Sequence, residues 1–154
     1  MYPRFIKEEY MEIYLSGIVL KLNEPNHNGR IYSQKEVSKN ISNLQTDILS
    51  GSLLSEIDPL ERTTTINLDN VGGLVARLEI VNDNLESTVQ ILPTVRGQQL
   101  IRMLEGNGEV FLSSRGTGQI DSDGNVTNYE LITVDILPFH LCDDPDKICK
   151  VIVK

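Results

Sequence analysis

The chain has 154 residues, 40% apolar and 23% charged, a length and balance that suit one folded domain burying about two-thirds of its unfolded surface. Twenty-two acidic against fourteen basic residues leave a net charge of −8. That charge speaks against a nucleic acid partner, because phosphate binding draws on clustered Lys and Arg. No apolar run nears the ~20 residues that cross a bilayer, and the opening Met-Tyr-Pro-Arg-Phe-Ile-Lys-Glu-Glu-Tyr lacks the apolar core of a secretory signal. Neither membrane insertion nor export is expected. Two cysteines, Cys142 and Cys149, point to a reducing compartment without a disulfide framework. With His140 they would offer three metal donors, but the spacing matches no zinc pattern, so no metal and no cofactor is expected.

Residues 11–22 alternate β-branched and apolar positions and predict a strand, buried on both faces towards its end. The turn formers from Asn23 to Gly29 predict a loop. Ser33, with Glu36 three residues on, forms a capping box for a helix whose apolar stripe is Val37, Ile41, Leu44 and Ile48 and which Gly51 ends. Beyond Leu53 and Leu54 comes a charged loop, where Pro59 bars a regular central strand. Thr63 to Leu68 is β-prone and leads to an Asp69-Asn70 turn. Residues 74–81 and 85–92 alternate around Asn82-Asp83-Asn84 and predict an antiparallel hairpin that Pro93 stops. Thr94 caps a second helix running to about Glu105.

Gly106 to Gly118 is the stretch with chemical content. Val110, Phe111 and Leu112 read as a short buried strand that delivers Ser113, Ser114, Arg115 and two nearby glycines to one point. Serine beside a sharp glycine turn can act as a nucleophile or an anion ligand. Asp121 to Asn125 predicts a hairpin turn; the absence of a glutamate at the twelfth loop position sets aside a calcium loop. Residues 129–137 predict another strand, ended by Pro138, and Asp143 to Asp146 a solvated loop. The expectation is one β-rich α+β domain over residues 1–154, with six or seven strands, two main helices, a core over about 12–137 and short terminal extensions.

Several of these stretches, taken together and in order, resemble the tailed-phage prohead protease family. Asn26-His27-Asn28-Gly29-Arg30-Ile31-Tyr32 before a helix is similar to that family's Asn-x-Asn-x-Arg-hydrophobic-Tyr segment. Ser113-Ser114-Arg115-Gly116-x-Gly118 is similar to its nucleophile segment, and the similarity spans roughly residues 12–137. The resemblance implies a fold like that of the herpesvirus assemblins, a closed β-barrel with helices around it. It also implies a serine protease acting on scaffold and capsid proteins. It makes Ser113 the nucleophile, Ser114 its neighbour, and the backbone near Arg115 and Gly116 the oxyanion hole. Arg30 and Tyr32 would be structural, the arginine pairing a buried acid.

The family's general base is a histidine in a Gly-Glu-hydrophobic-(Asp or Asn)-His-Pro segment. The matching run here is Ser55-Glu56-Ile57-Asp58-Pro59, with no histidine after Asp58. A further Val-Ser-His segment of some members reads Val71-Gly72-Gly73. A serine without a base is a poor nucleophile at neutral pH, and base assistance is worth about 100- to 10,000-fold. His27 reads as a loop residue and His140 as a core-edge residue, and Asp58 and Glu56 would be weak bases only. The favoured expectation is therefore a catalytically inactive member of the fold, a structural or interaction component of the virion or head assembly. Its partners would be phage capsid, scaffold or other head proteins, with a homo-oligomer open. Its place would be the virion, or the host cytoplasm during assembly. Two alternatives stand beside it: an active prohead serine protease with an unusual base, and an unrelated β-rich binding domain.

Overall fold

The computed structural model describes residues 12–154. The N-terminal decapeptide read for a secretory signal, and Met11 of the first expected strand, lie outside the described residues. Seven strands and two main helices follow in order: β1 Ile13–Lys21, α1 Gln34–Leu49, β2 Leu54–Glu56, β3 Val71–Val81, β4 Asn84–Ile91, α2 Val95–Glu105, β5 Val110–Ile120, β6 Val126–Pro138 and β7 Lys150–Val153. Five strands form one sheet in the order β2-β3-β4-β1-β7, and β5 with β6 forms a separate two-stranded ribbon. All the ladder pairings are antiparallel.

The core lies between sheet, ribbon and helices. Leu15 and Val19 of β1, Val75 of β3, Leu85 and Val89 of β4, Leu112 of β5 and Val134 and Ile136 of β6 are almost fully buried. Val37 and Leu100 bring the two helices onto this cluster. Both helices begin as their caps predict. The Ser33 hydroxyl accepts from Glu36 N–H at 3.2 Å, and the Thr94 hydroxyl from Gly97 N–H at 3.0 Å. Only half of the capping box forms, because the Glu36 carboxylate turns away to accept from Tyr129 N–H of β6 at 3.1 Å.

The closed barrel implied by the resemblance is not formed. Closure would require β2 to continue along β6 and β7 along β5; β2 has three residues before Asp58 and Pro59 end it, and the other join is a single bridge between Phe111 and Ile148. The seam is instead made mostly by side chains. Thr133 Oγ1 donates to the Leu54 carbonyl at 2.6 Å, and Glu56 N–H donates to Asp135 Oδ1 at 3.3 Å. One isolated bridge joins Ile57 to Ile136, where Asp58 N–H donates to the Ile136 carbonyl at 2.8 Å. Further along the same strand, buried Asn40 of α1 stands in for a neighbouring strand: its amide donates to Tyr129 O at 2.9 Å and accepts from Leu131 N–H at 2.8 Å. Buried backbone groups must find partners, and here side chains supply them.

Two further expectations are corrected. Thr63 to Leu68 forms no strand, because its backbone is held by buried side chains rather than by a neighbouring ladder: Arg115 binds the Thr63 and Thr65 carbonyls at 3.3 and 3.1 Å. The C-terminal residues form a strand that was not expected, since β7 pairs with β1 and adds a fifth strand to the sheet.

Candidate functional site

Ser113 lies in β5 directly opposite Asp135 of β6, half-buried near the seam. The reason for a site at this point is a buried charge. Asp135 is fully buried in an otherwise apolar run, Val134-Asp135-Ile136-Leu137, and a carboxylate there demands a partner. Arg115, two residues beyond Ser113, provides it. Its Nε and Nη2 donate to the two Asp135 oxygens at 2.9 and 2.8 Å in a bidentate fork, and Nη2 also reaches Glu56 Oε2 at 2.9 Å. Glu56 is itself buried and accepts from Asn67 N–H at 2.9 Å and from the Asn70 amide at 3.1 Å. Burial alone would raise the Glu56 carboxyl, but the bonds from Asn67, Asn70 and Arg115 outweigh it and hold the group below its ordinary value. Burial likewise opposes the Arg115 charge, and the two carboxylates more than offset it.

The buried ion cluster fastens the 57–70 loop over β5. From that loop Arg62 reaches the serines: its Nη2 donates to Ser113 Oγ at 3.0 Å and to the Ser114 carbonyl at 3.0 Å, and lies 3.6 Å from Asp135 Oδ2. Ser113 thus acts as a hydrogen-bond acceptor from a cation. A guanidinium stays charged at any physiological pH and has no lone pair to take the serine proton. Asp135, the carboxylate directly opposite, is committed to Arg115.

The Ser55-to-Pro59 run does pass beside the serine, one strand away, as the Glu56 and Ile57 contacts with β6 require. Asp58 sits there with an exposed side chain and a positive φ of 46°, the left-handed region that Asp tolerates better than most residues. Pro59 is half-buried in the position after it. At the second histidine slot there is no room. A Cβ on Gly73 would lie 2.6 Å from Val89 Cγ1, 3.0 Å from Ser55 Cβ and 3.1 Å from Ile136 Cδ1. His27 is exposed beside a recess shared with Lys21 and Asp144, and His140 is exposed in a single helical turn after β6. Neither hydrogen-bonds Ser113, whose hydroxyl partner among the described residues is Arg62.

Gly116 lies exposed just past a register shift between Arg115 and Gly116, a bulge that bends β5 and re-aims the chain. Its missing Cβ leaves space for the Tyr129 ring, whose Cε1 would otherwise lie 2.7 Å away. Tyr129 is buried, and desolvation pushes its hydroxyl up to about 12. It meets Tyr32 edge-on with 5.3 Å between ring centres, a packing contact between β6 and the chain just before α1. Arg30 is exposed, and the buried acids it was expected to pair are held by Arg115 instead.

Arg62 and the Glu56–Arg115–Asp135 cluster went unread in the sequence. The one available signal was an aspartate inside an apolar strand, since an acid in such a place is almost never left without a partner.

No family model matches the chain, and no curated protein matches it. Among solved structures, the bacteriophage T4 capsid assembly protease, gp21, is similar over 80% of this chain and 80% of that chain, with a TM-score of 0.74 and 17% sequence identity. The fold is that of a phage capsid assembly protease. At that identity the likeness concerns the fold alone. In this version of the capsid-protease fold, the strand bearing Ser113 lies against an ion cluster, with an arginine on the serine hydroxyl.

Proposed function

We propose that this chain is a non-catalytic version of the capsid-protease fold, serving as a structural or interaction component of a phage head, with capsid or scaffold proteins as partners. The observation that carries this reading is the Arg62 guanidinium on Ser113 Oγ. Acyl transfer from serine needs a group that removes the hydroxyl proton as the nucleophile attacks. The partner found on the hydroxyl can only donate, and the two sequence slots where the family carries histidine hold Pro59 and Gly73. A structural role suits the charge: an acidic surface repeated over a lattice gives strong attachment from weak single contacts.

The test is labelling with a fluorophosphonate probe, comparing the wild-type chain with Ser113→Ala, together with incubation with phage scaffold and capsid proteins. The expected result is the same background labelling in both chains and no cleavage. Labelling and scaffold cleavage that both vanish in Ser113→Ala would overturn the proposal. That outcome would support an active protease in which Arg62 steadies the oxyanion and another group takes the proton.

A further inference from the structure

The stretch from Asn26 to Tyr32 leaves an arginine with nothing to hold. Arg30 is pinned through its backbone, its N–H donating to Asn26 Oδ1 and its carbonyl accepting from Asn26 N–H, both at 2.9 Å. Its guanidinium is exposed, with no hydrogen-bond or ion-pair partner among the described residues. Together with Tyr32, Tyr129 and the 116–118 stretch of β5, it lines a recess of about 310 Å³. No carboxylate lines that recess.

Tyr129 forms one wall of the recess and carries an orphaned polar atom. The residue is 7% exposed, and its buried hydroxyl has no hydrogen-bond partner among the described residues. Such a group is rare in a folded protein and asks for a ligand, an ion or a water. The phenol end of the ring lies at the Gly116 wall, where an added Cβ would come 2.9 Å from Tyr129 Cζ. Burial pushes the phenol up to about 12, so it keeps its proton at neutral pH and serves as a donor. The Ser114 hydroxyl is near enough to oppose that rise, yet it makes no hydrogen bond of ordinary geometry with the phenol. Tyr32, edge-on to Tyr129, and Thr117 add two more hydroxyls without a partner among the described residues. Neighbouring side chains of β5 face opposite ways, and the phenol lies on the Ser114 side, away from the Ser113 hydroxyl.

We propose that this recess is a binding site for a single carboxylate, an acidic side chain of a partner protein, held by the Arg30 guanidinium and the Tyr32, Thr117 and Tyr129 hydroxyls. One cation, three hydroxyls and no acid make a donor set that lacks its oxyanion. The planar guanidinium matches the two oxygens of a carboxylate and stays charged at any physiological pH. One positive charge among neutral donors balances a monoanion. A phosphate group, largely dianionic at neutral pH, would leave surplus charge on a chain whose net charge is already −8. The phenol oxygen is closed to water in the free chain, so the carboxylate must shift the wall at Tyr32 or Gly116 to reach it. The register shift between Arg115 and Gly116 interrupts the ladder at that wall and eases the movement. Because the recess lies on the Ser114 side of the strand, it can fill whether or not Ser113 reacts.

The test uses the full chain, labelled with nitrogen-15, in phosphate-free buffer. The probes are acetyl-Glu-methylamide, its uncharged isostere acetyl-Gln-methylamide, and glutarate as a free dicarboxylic acid. The expected result is a saturable shift of the Gly116 and Gly118 amide signals with the Glu probe. Binding of the Gln probe should be weaker by roughly tenfold or more, since it loses the charge-assisted bonds. Arg30→Gln should abolish the shift. Tyr129→Phe should weaken binding by roughly two- to tenfold yet melt no lower than wild type, because the hydroxyl it removes has no partner in the free chain. A merely structural hydroxyl would do the reverse, lowering the melting temperature and leaving binding alone, and that result would overturn the proposal. So would equal binding of the Glu and Gln probes, no shift with either, or binding that survives Arg30→Gln. Glutarate binding tighter than the Glu probe would overturn the protein partner and make a free dicarboxylate the ligand. Inorganic phosphate displacing the Glu probe more strongly than acetate does would overturn the choice of a carboxylate.

Discussion

Two arginines near Ser113 look alike in sequence and differ in what they hold. Arg115 is 3% exposed and joins two buried carboxylates and two loop carbonyls, whereas the Arg62 side chain is 39% exposed and touches β5 from outside. Removing one member of a buried ion cluster leaves charge without compensation and costs about 3–5 kcal/mol. An exposed pair is worth about 0–1 kcal/mol. Arg115→Met should therefore lower the melting temperature by about 6–20 °C for a chain of this size, and Arg62→Ala by no more than a few degrees. Calorimetry on the two variants decides it; an Arg115→Met chain that melts with the wild type would mean the cluster does not hold the loop. The sequence drew attention to the right strand for a different reason. Ser113 and Ser114 were visible as a polar pair after an apolar run, while the arginine's partners lie 20 and 59 residues away along the chain, where no local pattern links them.

Among the elements, close backbone approach decides more than propensity does. β3 carries Gly72 and Gly73 at a crowded point: a Cβ on Gly73 meets Val89, Ser55 and Ile136, and one on Gly72 meets Ile57 and comes 3.2 Å from Gly97 N of α2. Gly97 in turn leaves no room for a Cβ, which would fall 1.8 Å from the Leu92 carbonyl oxygen. Gly73→Ala should cost about 1–3 kcal/mol by overpacking, readable as an earlier urea midpoint with an unchanged slope. Installing histidine at position 73 should cost more and yield no labelling at Ser113. A Gly73→Ala chain as stable as wild type would show that the neighbours yield readily. Both helices and the β3–β4 hairpin were legible, because caps, stripes and turn residues act over a few positions. The 57–70 loop and β7 were not. The loop takes its shape from Arg115 and Glu56, and β7 is a strand because β1 has an edge to offer.

For the molecule as a whole, a sheet and a ribbon meet along a seam held by side chains, and this makes its stability depend on acid. Two carboxylates tie parts together: Glu56 joins the loop to Arg115, and Glu36 joins α1 to β6 through Tyr129 N–H. Both are held below their ordinary value of about 4.5. For Glu56, burial works against the shift, and the bonds from Asn67, Asn70 and Arg115 outweigh it; for Glu36 the Tyr129 N–H leads, followed by Lys39. A carboxyl whose folded value is depressed stabilises the fold fully above its unfolded value and loses that contribution as the pH falls through the folded one. Stability measured by urea should therefore be flat above pH 5 and decline below about 4.5. Glu56→Gln should lower stability at pH 7, by removing a charge partner of Arg115, and show a smaller further loss between pH 5 and pH 3. Because the β3–β4 ladder contains no such group, amide exchange in residues 57–67 should quicken at pH 4 before exchange in β3 and β4 does. An identical pH slope in wild type and Glu56→Gln, or exchange that quickens everywhere at once, would place the acid sensitivity elsewhere and remove the seam as the first part of the fold to open.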